Sequence, residues 1–168
     1  YLGIVGLLVY WYTGRSQISS DSIWRRGFRS VSHCYSGCGS GEAVGVIVAV
    51  GILSLNNLWV AAVTFFFAYL FGYSLTVGPL LQDGVPLREA VSDAFYTETL
   101  SITVMEVVAV GSDIILADGA TIMEVRFWIA LIISLTLGLL AAYPVNVILI
   151  KYDVKEGMMD PRDMSPDH

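Results

Sequence analysis

Polar residues interrupt this chain rarely, and the intervals between them have the length of membrane helices. Leu58 to Leu81 contains no charged residue, and Val125 to Ile150 contains only Arg126, near its outer end. Each exceeds the roughly 20 mostly apolar residues that a helix needs to cross a bilayer. Ala94 to Leu116 is comparably long but carries Glu98, Glu106 and Asp113. Ala43 to Leu55 is apolar but short, and reaches full length only if its helix opens earlier, near Ser32. Asn56-Asn57 then turns the chain into the next span. Tyr1 to Tyr12 is apolar over about half a span. The chain opens without Met, so a trimmed or processed start is expected there. The pattern predicts an all-α fold, a polytopic transmembrane helix bundle of about five membrane helices with the first one incomplete. Along the chain this reads as a partial transmembrane helix (1–12), a basic cytoplasmic or interfacial loop (13–31), a four-helix membrane domain (32–150) and a polar cytoplasmic tail (151–168).

Composition agrees with lipid as the solvent. Hydrophobic residues make up 55% and charged residues 14% of the 168 residues, against about 25% charged in a soluble domain. Mean hydropathy is +0.68. A net charge of -6 leaves no electrostatic footprint for nucleic acid. Two cysteines are too few for a disulfide scaffold.

Basic residues set the orientation. Arg15, Arg25, Arg26, Arg29, Arg88, Lys151, Lys155 and Arg162 fall on one side of alternating spans, and only Arg126 of the nine falls on the other. By the positive-inside rule this places the protein in the cell membrane with its C-terminus in the cytoplasm. The stretch "WRRGFRS" reads either as an interfacial helix, with Trp24 and Phe28 in the headgroups, or as a plain basic loop.

Two segments carry candidate chemistry. In "SHCYSGCGSGE", a helix places Cys34, Cys38 and Glu42 at i, i+4 and i+8 on one face. His33 lies about 100 degrees round from Cys34. Gly37, Gly41 and Gly45 form a second ridge that lets another helix approach closely. Thiolate and imidazole suit Cu(I) or Zn(II), so His33, Cys34 and Cys38, with Glu42 or another acid, are candidate ligands. The alternative is that both cysteines are small apolar core residues and the glycines serve packing alone. In "AFYTETLSITVMEVVAVGSDIIL", Glu98, Glu106 and Asp113 fall within one arc of about 80 degrees. Such a stripe must face protein or water, because each acid at the bilayer centre costs about 2.5–3.5 kcal/mol on insertion scales. It reads as a cation or proton path, or as two interfacial acids flanking a deep, hydrogen-bonded Glu106. Pro144 removes a backbone hydrogen bond from the last span. Asn146 beside it is a buried amide suited to Glu106 or to a freed carbonyl. No repeat of 20–50 residues, phosphate loop, dinucleotide fingerprint, GxSxG elbow or HExxH is present.

"HCYSGCGSGE" resembles an HCxxGCxxG-acid signature. "FAYLFGYSLTVGP", "PLREA", "TETLSITVME" and "AYPVNVILIKYDVKEGM" follow in the order found in a family of prokaryotic multipass membrane proteins, catalogued as domain of unknown function 4396. The resemblance spans roughly Ser32 to Met159. It implies a small helical membrane domain in which His33, Cys34, Cys38 and Glu42 act as a unit, and it supplies no established reaction. In that family Asp often stands where this chain has Glu42 or Glu98, and position 106 is not reliably acidic.

Two functions are therefore expected as alternatives. One is handling or transport of a soft metal ion, copper or zinc, by the Cys/His cluster. The other is a non-catalytic structural subunit packing against other membrane helices, as a homo-oligomer or in a larger complex. Neither names an enzyme, and lipid is the expected partner of both.

Overall fold

The computed structural model describes residues 7, 8, 11, 12, 20–55 and 57–156, with backbone alone at 57 and 58. Its helices are α1 (Ile23–Val46), α2 (Asn57–Gln82), α3 (Leu87–Ala117) and α4 (Val125–Lys151). A π-helical stretch, Ile47–Ile52, continues α1. These four helices are long and apolar enough to cross a membrane. At 1.5 Å per residue even the 26 residues of α2 reach about 39 Å, beyond a hydrocarbon core of about 30 Å. Eight of the twelve residues of the first span expected over 1–12 lie outside the described residues; among the described residues four spans stand.

Two helices open earlier than their hydrophobic runs suggest. α1 begins at Ile23 rather than near Ser32, because Ser22 caps it by accepting from the Arg25 N–H at 3.3 Å. Arg29 then reaches back to both oxygens of Asp21 at 2.8 and 2.7 Å. "WRRGFRS" is therefore the first turns of α1. Likewise α3 begins at Leu87, where the Pro86 carbonyl accepts from Glu89 and Ala90, rather than at Ala94. In both cases charged residues occupy helical positions at the membrane boundary and hide the helix from a search for apolar runs. The turn expected at Asn56-Asn57 is shorter by one residue, since Asn57 already opens α2; Asn56 lies outside the described residues. Pro144 sits inside the continuous α4, and Pro79 inside α2.

The connections are tight. Gly84 (φ 83) ends α2, with Val85 N–H bonded to Leu80 O at 2.9 Å and Gly84 N–H to Leu81 O at 3.2 Å. This is a Schellman turn, whose left-handed residue is usually glycine. Asp153 (φ 54) plays the same part after α4, with Val154 N–H to Leu149 O at 3.0 Å and Asp153 N–H to Ile150 O at 3.2 Å. Ahead of α4, Glu124 accepts from the Thr121 N–H at 3.0 Å and hydroxyl at 2.9 Å. Those bonds hold its exposed carboxyl below the usual carboxylate range.

Antiparallel neighbours meet through small residues. A Cβ on Gly41 would strike the Phe67 carbonyl and come within 2.8 Å of the Ala68 Cα; one on Gly45 would lie 2.7 Å from the Thr64 Cα. A Cβ on Gly37 would lie 3.0 Å from the Cα of Gly72. α1 and α2 thus touch backbone to backbone along the glycine ridge, as lipid requires of helices that gain no hydrophobic drive from associating. Gly138 brings α4 similarly close to α3, for a Cβ there would lie 2.7 Å from the Met105 carbonyl. The buried core between the helices contains Val31, Cys34, Cys38, Ile102, Met105 and Leu135. The outward faces are apolar too, with Ile47, Phe66, Val107 and Leu140 all more than half exposed.

Gly41→Leu is expected to unfold or strongly destabilise the protein, since even one added carbon meets backbone that cannot yield. Gly39→Ala meets nothing within 4 Å and is expected to be neutral, or stabilising by up to about 1 kcal/mol. Thermal unfolding of both variants in detergent checks the pair; equal melting temperatures would refute the contact.

Candidate functional site

The edge of α1 beside the glycine ridge carries Cys34, Cys38 and Glu42, all buried. Packing α1 onto α2 turns this edge toward α3. At Gly72 of α2 the two helices converge, for a Cβ there would lie 2.9 Å from both the Cys38 Sγ and the Ile102 Cδ1. The sulfurs of Cys34 and Cys38 are 4.0 Å apart, unbonded. One turn further on from Cys38 and Ile102, Glu42 of α1 and Glu106 of α3 are buried at one level of the bundle.

Among the described residues Glu106 is the most isolated acid. It is 0% exposed, and neither of its oxygens has a partner of ordinary hydrogen-bond geometry. Oε2 of Glu42, Oδ1 of Asp113 and the Ser134 hydroxyl are also buried without partners. Glu42, Asp113 and Ser134 line a cavity of about 560 Å³. It occupies the end of the bundle formed by the π-helical stretch, the start of α2, the end of α3 and the start of α4. Its rim includes the exposed Ile114, Gly119 and Thr121. The π-helical stretch contributes to this wall through Val50, and Leu55 just beyond it also lines the cavity. Such stretches often mark functional sites. Sequence gave no signal for it, since Ile47–Ile52 is ordinary in composition.

A second polar centre lies toward the other end. Glu98 is buried and accepts from Lys155 Nζ at 2.7 Å. Lys155 also donates to Asn146 Oδ1 at 3.1 Å, which accepts from the Ser30 hydroxyl at the same distance. The Asn146 amide nitrogen donates to Ser101 Oγ and, at 3.0 Å, to the Ala142 carbonyl. Thr76 donates to the other oxygen of Glu98 at 3.3 Å. Every helix contributes to this centre. Asn146 therefore serves Lys155, Ser30 and Ser101 and not Glu106, because Pro144 and Ala142 hold it a full turn nearer the tail. The predicted acidic stripe is divided accordingly: Glu98 is paired, Glu106 is unpartnered and Asp113 is half-buried at the cavity.

The Cys/His cluster does not gather as a metal shell. Cys34 and Cys38 lie among Val31, Ile102, Met105 and Leu135 in the core. His33 is only half-buried, on another face of α1. Among the described residues no three His, Cys, Asp or Glu side chains form a group able to hold a metal ion. Of His33, Cys34, Cys38 and Glu42, the last lines the cavity. Sequence reasoning missed Lys155, Ser30, Ser101 and Thr76, whose partners lie tens of residues away. The one available signal was that a buried acid in a membrane needs a counter-charge.

Four membrane-length helices around a buried polar thread define a polytopic membrane protein. The profile of the family described as domain of unknown function 4396 (DUF4396) matches residues 23–155, and the chain belongs to that family. No curated protein and no solved structure matches the chain.

Burial of both thiols has a direct consequence. Cys34 and Cys38 are expected to resist a water-soluble maleimide in the folded, detergent-solubilised protein and to react fully after denaturation. Mass spectrometry of the labelled chain reads this, and rapid labelling of the folded protein would contradict the packing.

Proposed function

We propose that the protein moves protons across the membrane, with Glu42 and Glu106 as the site that takes up and releases them. One observation carries this reading: Glu106, fully buried and without a hydrogen-bond partner, lies at the same level of the bundle as Glu42, whose unpartnered carboxyl oxygen stands at a cavity at one end of the bundle. Two carboxyls that meet in a low-dielectric interior hold one shared proton more readily than two negative charges. Each isolated charge there would cost several kcal/mol, and a bound proton removes that cost. Glu42, as the acid of the family signature, is the primary site; Glu106 is the second carboxyl. About 12 Å of α3, eight residues at 1.5 Å each, separates Glu106 from Glu98, and the thiols and Ser101 lie between those levels. The partition of basic residues supports an orientation with the cavity outside and the Lys155 end in the cytoplasm.

Proteoliposomes holding an internal pH-sensitive dye, driven by a potassium diffusion potential, test the proposal. Wild type is expected to exceed empty vesicles. Glu42→Gln is expected to abolish the excess, and Glu106→Gln to slow it by about tenfold, the effect of 1.4 kcal/mol on a rate. Flux unchanged in both variants, or absent throughout, would refute proton movement and leave the structural-subunit and soft-ion readings.

A soft-ion reading has one supporting distance, the 4.0 Å between the two sulfurs, which suits paired thiolate ligation of Cu(I) or Zn(II) as cargo or cofactor. Metal analysis of protein purified without chelator or metal-affinity tag tests it. Equal stoichiometry in wild type and a Cys34→Ser, Cys38→Ser double variant would exclude it.

A further inference from the structure

Lys155 is an unusual cation for a polar tail. It follows the end of α4, yet its side chain is only 10% exposed. The Schellman turn at Asp153 reverses the chain, and Arg26 of α1 donates to the Glu156 carbonyl just beyond. Residues 152–156 thereby fold back over the bundle end, and the Lys155 ammonium enters the polar centre between α3 and α4.

That centre is built before Lys155 arrives. Asn146 spends both amide hydrogens on Ser101 and Ala142, which fixes the direction of its Oδ1. The Thr76 hydroxyl holds one oxygen of Glu98 and leaves the other for Lys155. Two oxygens at 2.7 and 3.1 Å from Nζ are thus positioned by groups that do not include Lys155. Such an arrangement recognises an N–H-bearing monocation by hydrogen bonds and charge together.

We propose that Glu98, Asn146 and Thr76 form a binding site for a primary ammonium ion, which Lys155 fills as a tethered ligand and thereby plugs the tail end of the proton path. The plugging role rests on the proton reading above; the ammonium site does not. While Lys155 stays, Glu98 is neutralised by a cation attached to the chain and cannot take a proton from the Glu42–Glu106 level. When residues 152–156 lift away, Glu98 becomes a free acid facing the same path.

Lys155→Met removes the ammonium and keeps the stem. Its melting temperature is expected to fall by about 10 °C, because it leaves a buried carboxylate unpaired. Millimolar ethylammonium should restore most of that loss, whereas tetramethylammonium, with no N–H, should not. The Glu98→Gln, Lys155→Met double variant, which has no charge to pair, should be stable and indifferent to both amines. If Lys155→Met alone does not fold, its yield when expressed and extracted with and without ethylammonium makes the same comparison. No response to ethylammonium, or an equal response in the double variant, would overturn the site.

Flux is read without amines, which carry protons across lipid themselves. Lys155→Met vesicles should conduct about tenfold faster than wild type, the rate change for 1.4 kcal/mol, and Glu42→Gln should suppress the gain. Amine rescue with unchanged flux, while wild type conducts through Glu42, would refute the plug alone. Amine rescue with no Glu42-dependent flux in any variant would refute the proton reading and leave the ammonium site standing.

Discussion

Everything inside this bundle depends on how closely its helices approach. Lipid offers no hydrophobic reward for association, so the contacts must come from packing and from polar groups meeting one another. Glycines at 37, 41 and 45 remove the side-chain layer between α1 and α2, and Gly138 does the same between α4 and α3. The result is more than cohesion. With its glycine edge pressed onto α2, α1 presents Cys34 and Cys38 to the bundle interior, where Ile102 and Met105 of α3 and Leu135 of α4 meet them. Gly72 then makes room on α2 for Cys38 and Ile102 to meet. The approach of α4 along Gly138 likewise places Asn146 over Ser101. Small residues position the polar ones.

Those polar groups are handled differently at the two ends. At the tail end a charge is matched by a charge: Glu98 has Lys155, and hydroxyls and an amide use up the remaining hydrogen-bond capacity. At the cavity end an exposed pair joins Arg126 to Asp118, but among the described residues no ion pair reaches Glu42, Glu106 or Asp113, and these three with Ser134 keep buried oxygens without partners. A buried pair of opposite charges is stable and specific but inert. Unmatched carboxyls beside a cavity change state when a proton arrives. The asymmetry supports a direction for the chemistry, with uptake at the cavity and closure at the tail.

Much of the bundle was legible in the sequence. α2 and α4 begin and end within a residue of their apolar runs, because nothing but membrane length limits them. The glycine ridge was legible for the same kind of reason: spacing of four puts small residues on one face whatever the tertiary structure. Glu106 stood out because an acid so deep has few innocuous explanations. The early starts of α1 and α3 were not legible from hydropathy, although Ser22 and Pro86 are recognisable start signals. The role of the cysteines was not legible for a physical reason: thiols are good ligands and good core residues alike, and the structure places these two among Ile102, Met105 and Leu135. Lys155 was invisible because its meaning lies in Glu98, on another helix.

The π-helical stretch and the fold-back of residues 152–156 then acquire a common meaning. Both sit where a regular α-helix would have sealed the bundle. Within Ile47–Ile52, Val50 lines the cavity just beyond Glu42. At the opposite end the chain does not simply leave the membrane after Lys151; it doubles back and inserts an ammonium group. A bundle whose only task was to hold together would be served better by apolar residues at both places, since a buried ion pair seldom outdoes a well-packed apolar core in stability. Retaining a cavity at one end and a removable cation at the other is intelligible if the buried acids between them must at times exchange what they hold with water.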